Sequence, residues 1–135
     1  MIAASHTTEL AERFGRRVRN LVGSTEHAKA FPGSGLSADS TAAGRWDTNK
    51  GGEYFAAGVG GSVTGRRADL AIIDDPVKSR EDADSETIRE KHWSWWRDDM
   101  TTRLKPGAAV VLIMTRWHED DLGGRMLADL KNANQ

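Results

Sequence analysis

Two adjacent carboxylates, Asp74 and Asp75, come directly after the apolar run at residues 70–73. A second apolar run ends in Thr115 and Arg116. Aspartate oxygens suit Mg²⁺, which keeps several waters and needs few protein carboxylates. A threonine hydroxyl and a guanidinium can contact a phosphate or the water that attacks it. If the two pairs meet, these residue types indicate metal-dependent nucleotide hydrolysis.

Both apolar runs are typical of strands that are buried on both faces of a parallel sheet. We predict one strand near residues 69–75 and another near residues 109–116. Ligands of open parallel sheets bind outside the carboxyl ends of the strands, so adjacent strands would put both polar pairs on one rim. Each pair also has a simpler interpretation: Asp-Asp-Pro is a good turn after a strand, and an arginine at a strand end can simply be exposed.

Apolar spacing and turn residues predict the remaining elements. These elements are a short strand at 2–5, a helix over 8–22, a hairpin of 45–48 with 54–59, a helix from 84 or 85 to 104, and a helix beginning near 120 or 121. Residues near 23–44 are rich in Gly and Ser and are predicted to form a long loop. In the second helix we expect Trp96 in the core and Trp95 exposed or at an interface. The element order predicts an α/β fold, a three-layer sandwich with a mainly parallel sheet.

The composition is that of a globular protein, with 38% hydrophobic residues and a net charge of −1. No apolar stretch approaches the roughly 18 residues that cross a bilayer, so we expect no membrane partner. The absence of cysteine excludes disulfides and thiolate metal sites.

Basic residues outnumber acidic ones only in the first half of the chain. The cluster of Arg13, Arg16, Arg17 and Arg19 could contact a phosphate backbone or form a solvated helix face.

Gly60 and Gly65 have the spacing of a phosphate-binding loop (P-loop), and Arg66 and Arg67 follow them. A P-loop needs Lys and then Ser or Thr after the second glycine, and it must open a helix whose amides hold the phosphates. Here arginines occupy both positions and a predicted strand follows. We therefore reject this segment as a P-loop, and no other segment matches one. Arg66 and Arg67 remain candidates for contact with a phosphate or with DNA.

Longer strings around these residues resemble one known family. Residues 62–76 resemble the Walker B region of the large terminase subunit of tailed bacteriophages. Residues 115–123, Thr-Arg-Trp-His-Glu-Asp-Asp-Leu-Gly, resemble the motif that couples hydrolysis to movement in that family. Four residues, Ala11, Phe14, Arg16 and Arg19, also resemble the helix that follows the P-loop helix in that family. The resemblance covers nearly the whole chain.

The resemblance implies a DNA-packaging ATPase of a phage or prophage, acting in the host bacterial cytoplasm. It gives Asp74 the role of Mg²⁺ ligand and Asp75 that of catalytic acidic residue, where such ATPases usually carry glutamate. Thr115 and Arg116 take the coupling role. The implied cofactors are Mg²⁺ and ATP. The implied partners are double-stranded viral DNA, the portal protein and the small terminase subunit.

In that family the P-loop would precede residue 1, and a nuclease domain would follow residue 135. We therefore expect residues 1–135 to be the middle part of the ATPase domain, a partial P-loop NTPase fold lacking the P-loop strand and helix. Such a chain should hydrolyse ATP weakly or not at all alone. The strand at 110–114 should become a sheet edge, which favours self-association.

Two other functions also fit the sequence. A non-catalytic module could bind DNA or a motor partner, in a salt-dependent way and without nucleotide, through the arginines at 13, 16, 17, 66 and 67. Alternatively, a Mg²⁺-dependent nuclease could use Asp74 and Asp75. The nuclease would need further carboxylates at the same strand end.

Overall fold

The structure is a computed structural model that describes residues 1–134. Its strands are β1 Ile2–Ser5, β2 Leu36–Thr41, β3 Arg45–Thr48, β4 Glu53–Gly58, β5 Ala68–Asp74 and β6 Leu104–Ile113. They form one sheet in the order β2-β3-β4-β1-β5-β6. The pairs β4–β1, β1–β5 and β5–β6 are parallel, whereas β2–β3 and β3–β4 are antiparallel. The predicted hairpin is therefore confirmed as β3 and β4.

Helices lie on both faces of this sheet, which confirms the predicted three-layer α/β sandwich. The helices are α1 Thr8–Val22, α2 Thr25–Ala30, α3 Arg80–Asp84, α4 Glu86–Ser94 and α5 Leu122–Ala133. Helix α4 continues into a π-helix, Trp95–Met100, and a 3₁₀ turn, Thr101–Arg103. The hydroxyl of Thr7 caps α1 by accepting the backbone N–H of Leu10 at 3.2 Å.

Each face of the sheet has its own core because side chains alternate along a strand. Under α1, Trp46 and Tyr54 stack with ring centroids 5.3 Å apart. Their polar atoms donate to the helix backbone: Tyr54 Oη to the carbonyl of Ala11 at 2.6 Å, and Trp46 Nε1 to that of Gly15 at 3.1 Å. A Cβ on Gly15 would overlap with Tyr54 Cε1, so this glycine allows the helix to approach the ring closely. The opposite, larger core contains Ile2, Ala4, Ala71, Ile73, Trp95, Trp96, Met100 and Leu122.

The prediction of a long loop near 23–44 is wrong, because α2 and β2 both lie inside that segment. Helix α2 begins where the Ser24 hydroxyl accepts the backbone N–H of His27 at 3.1 Å. Strand β2 forms only because β3 supplies its ladder partners, and such non-local pairing leaves little trace in a Gly- and Ser-rich sequence.

The extent of the helix predicted from residue 84 or 85 to 104 is confirmed, because the Ser85 hydroxyl caps α4 and helical backbone continues to Arg103. Its second half differs from the expected α-helix, since it is π-helical and then 3₁₀ before β6 begins at Leu104. The wider π-helical turn brings both Trp95 and Trp96 into the core, at 3% and 9% exposure. Trp95 is therefore not exposed as expected, and its Nε1 donates to the carbonyl of Gly61 at 2.9 Å.

Strand β6 forms one edge of the described sheet. Val111 and Ile113 point away from the larger core and are 43% and 54% exposed. Helix α1 packs over β1 and β4 on that side, so it leaves β6 uncovered. Within residues 1–134, β6 thus presents an apolar face and an open backbone edge, the combination that favours pairing with another chain.

We predict that the chain self-associates through this edge and that Val111→Lys shifts it towards the monomer. A lysine on an edge strand opposes strand pairing by its charge and its need for water. Size-exclusion chromatography with light scattering measures the mass. The control is Leu21→Lys, which changes a 63% exposed leucine on α1 and should leave the mass unchanged. A monodisperse monomer of the unmodified chain would contradict the prediction.

Candidate functional site

The carboxyl ends of β5 and β6 lie side by side because these strands are parallel neighbours. Asp74 pairs with Ile113, the last residue of β6. Asp75 therefore follows one strand where Thr115 and Arg116 follow the other. The structure thus places both predicted polar pairs at one edge of the sheet, which we call the carboxyl rim.

The Asp75 backbone is held between two strands at the carboxyl rim. Its N–H donates to the carbonyl of Ile113 at 2.8 Å, and its carbonyl accepts the backbone N–H of His6 at 3.2 Å. The Nδ1 atom of His6 lies 3.1 Å from the same carbonyl oxygen. Asp75 has a φ of 49°, a left-handed conformation that aspartate tolerates better than most residues. Pro76 disfavours the right-handed helical alternative at this position.

His6 is a rim residue that the sequence did not reveal. It follows β1 just as Asp75 follows β5, and β1 is the neighbour of β5 on the side away from β6. The signal was present in the sequence as a polar residue after a short strand. It becomes informative only when the strand order is known.

Asp74 lies on the same sheet face as Val111 and Ile113, since paired residues of parallel strands share a face. Its side chain is half-buried, whereas Asp75 is exposed. Mg²⁺ is commonly held by one or two carboxylates together with water, so this pair fits that ion. Among residues 1–134, no three His, Cys, Asp or Glu side chains converge on a common point. The further carboxylates that a nuclease would need are therefore not found in this part of the chain.

Arg116 is held by the first turn of α5. Its Nε donates to Oδ2 of Asp121 at 2.9 Å, and its Nη2 donates to the carbonyl of Glu119 at 3.3 Å. The other oxygen of Asp121 caps α5 by accepting the N–H of Gly124 at 2.9 Å. This cap confirms the helix start predicted near residue 120 or 121.

The neighbouring carboxylate, Asp120, connects α5 to α4. It accepts two hydrogen bonds from Arg125, both at 2.9 Å, and one from Arg89 at 3.3 Å. Arg125 also donates to Glu90 at 2.6 Å. The hydrogen bonds from Arg125, followed by the one from Arg89, lower the pKa of Asp120 to about 2. The residues after β6 are therefore tied to both helices on the α4 side of the sheet.

Asp120→Asn should make the acid unfolding of the chain less steep. A carboxyl group with a lowered pKa stabilises the fold above its ordinary pKa, and this stabilisation is lost as the pH falls towards the folded value. Thermal unfolding followed by circular dichroism should therefore show a smaller drop for Asp120→Asn between pH values of about 4 and about 2. Asp129→Asn, which lies within α5 and outside this ion-pair cluster, is the control. Identical pH profiles for Asp120→Asn and the unmodified chain would contradict the prediction.

Arg66 and Arg67 are not near the carboxylates. They precede β5, whereas Asp74 ends it, and seven strand residues span roughly 20 Å. The Arg66 guanidinium lies 4.6 Å from the centre of the Phe55 ring and 3.4 Å from a Glu53 carboxylate oxygen. Both arginines therefore lie at the amino-terminal end of β5, away from the carboxyl rim. Contact with DNA there stays a prediction.

Two arginines of α1, Arg13 and Arg16, share a groove with the rim residue His6. Arg13, Arg16 and Arg17 are exposed, whereas Arg19 donates to the carbonyl of Thr41. A groove of about 470 Å³ is lined by His6, Thr7, Glu9, Leu10, Glu12, Arg13 and Arg16. The two glutamates offset part of the positive charge. DNA binding by this surface therefore also stays a prediction.

A mainly parallel sheet with carboxylates, a hydroxyl and an arginine at its carboxyl ends defines an α/β protein whose polar residues collect where open parallel sheets bind ligands. A family model described as "Terminase large subunit, T4likevirus-type, N-terminal" matches residues 1–133, and the chain belongs to this family. A comparison with curated proteins gave no match. Within residues 1–134, no helix combines the length and the apolar character needed to cross a membrane.

Proposed function

We propose that the carboxyl rim is the Mg²⁺-binding half of an ATP site in a viral DNA-packaging motor. Membership in the large terminase family makes the chain a component of that machinery. The observation that supports the ATP site is the pairing of Asp74 with the end of β6, because Thr115 and Arg116 then follow β6 at the same end of the sheet as the two carboxylates. The proposed location is the infected bacterial cell, and the proposed partners are viral DNA, the portal protein and the small terminase subunit.

Each rim residue has a distinct role in this proposal. Asp74, half-buried and fixed by the strand pairing, holds Mg²⁺ directly or through water. When bound there, Mg²⁺ would supply positive charge next to the phosphates. Asp75 is exposed and its backbone is hydrogen-bonded on both sides, so its carboxylate orients the attacking water and accepts its proton. The Thr115 hydroxyl and the Arg116 guanidinium contact the terminal phosphate and sense its loss.

The uncovered face of β6 indicates where the phosphate-binding half of the proposed ATP site would pack. Asp74 shares that face with the exposed side chains of Val111 and Ile113. A segment that packs on these apolar residues would lie directly beside the carboxylates. We propose that the P-loop and its helix occupy this position, so that residues 1–135 correspond to the middle part of the ATPase domain.

Mn²⁺, a paramagnetic substitute for Mg²⁺, tests the metal site. In nitrogen-15 NMR spectra, we expect Mn²⁺ to broaden the amide signals of residues 74–75 and 114–116 before those of other residues. Asp74→Ala should abolish this selectivity because it removes the ligand. Asp69→Ala is the matched control, since Asp69 is an exposed aspartate at the other end of β5. Equal broadening in the Asp74→Ala variant would overturn the assignment of Asp74.

ATP turnover tests the need for a second phosphate-binding segment. We expect residues 1–135 with Mg²⁺ and ATP to release phosphate slowly or not at all, because Mg²⁺ ligation alone does not position the terminal phosphate. A phosphate-release assay compares the chain with its Asp74→Ala variant. Rapid hydrolysis that depends on Asp74 would contradict this requirement while supporting the metal site.

A further inference from the structure

We infer that Asp121 is a positioning residue that holds Arg116 ready to bind an anion. The inference rests on the proposed contact between Arg116 and a phosphate. Capping of α5 would by itself explain an aspartate at this position, and the inference gives Asp121 a second role. The ligand class is a phosphate or polyphosphate, and the group that meets it is the outer edge of the Arg116 guanidinium.

The burial of Asp121 is the first observation that supports this role. Its side chain is 2% exposed, against 45% for Arg116. A buried carboxylate is costly unless it is paired and hydrogen-bonded. Asp121 meets this requirement with one oxygen on the N–H of Gly124 and the other on Nε of Arg116. The fixed partner of the pair is thus the aspartate, and the arginine is held against it.

The hydrogen bonds of Arg116 leave one side of its guanidinium available. The group has five N–H donors in a planar fork. Within the described residues, Nε donates to Asp121 and Nη2 donates to Glu119. Both N–H groups of Nη1 and one of Nη2 remain for a ligand. Because the fork is already oriented, binding an anion costs less side-chain entropy than it would for a free arginine.

The loop between Arg116 and α5 is closed tightly enough to keep this orientation. The backbone N–H of Asp120 donates to Nδ1 of His118 at 3.0 Å, and that of Asp121 donates to the carbonyl of His118 at 3.2 Å. A Cβ on Gly124 would overlap with the carbonyl oxygen of Glu119. Only glycine fits there, because the Glu119 carbonyl, which accepts the Nη2 hydrogen bond of Arg116, packs directly on it.

Asp121→Asn separates the positioning role from the cap. Asparagine caps helices about as well as aspartate, but it lacks the charge that holds Arg116. In nitrogen-15 NMR spectra, the Nε–H of Arg116 should exchange with water about tenfold faster in Asp121→Asn than in the unmodified chain. The amide protons of α5 should keep their protection. Asp120→Asn, which removes the carboxylate bound to Arg89 and Arg125, should leave the Arg116 exchange unchanged.

Inorganic tripolyphosphate tests the anion-binding role. In the unmodified chain it should shift the Arg116 Nε–H signal, and in Asp121→Asn its affinity should fall by about tenfold. Removing a negative charge would by itself strengthen anion binding, so weaker binding reports lost orientation. Arg116→Lys should weaken binding further, because lysine lacks the planar fork.

Three results would overturn the inference: unchanged Arg116 exchange in Asp121→Asn, equal or tighter tripolyphosphate binding by that variant, or no Arg116 shift in the unmodified chain. Selective Mn²⁺ broadening at Asp74 alongside any of these would leave the metal site standing while removing the role of Asp121. A tripolyphosphate response at Arg116 that depends on Asp121, without Mn²⁺ binding at Asp74, would support the inference and count against the proposed ATP site.

Discussion

The parallel register between β5 and β6 is the constraint on which the rest of the structure depends. It pairs Ile73 with Leu112 towards the larger core and Asp74 with Ile113 on the other face. Side chains alternate along a strand, so a shift of one residue in β5 would turn Asp74 into the core and Ile73 out of it. Burial of Ile73 therefore fixes both the register and the direction of the carboxylate.

The elements that the sequence predicts well are those with strong local signals. Helix α1 has apolar residues at helical spacing and a threonine cap, α5 has its capping aspartate, and the β3–β4 hairpin has a glycine pair. Elements that depend on distant partners were missed. Strand β2 needs β3, and the burial of Trp95 needs a π-helical turn and an acceptor at Gly61. Neither condition is visible in a window of neighbouring residues.

The residues of the carboxyl rim likewise differ in how far the sequence alone predicts their positions. Apolar strands that end in polar residues were sufficient to expect Asp74 and Asp75 beside Thr115 and Arg116. The strand order was needed to bring in His6, because it follows a third strand. The length of β5 separates Arg66 from the carboxylates, and the strand predicted near residues 69–75 already implied that distance. The order of the strands cannot be deduced from composition or periodicity, since it arises from packing across the whole sheet.

The two adjacent aspartates before α5 fix one end of that helix. Asp121 fastens its first turn to Arg116, and Asp120 fastens the same turn to α4 through Arg89. Beyond that turn, two leucines of α5 face solvent, since Leu127 and Leu130 are 52% and 60% exposed. Twelve residues make an arm of about 18 Å, so a tilt of about 5° at the fastened end displaces the far end by about 1.6 Å. Any tilt of α5 about its first turn would therefore move the exposed leucines farther than it moves Arg116.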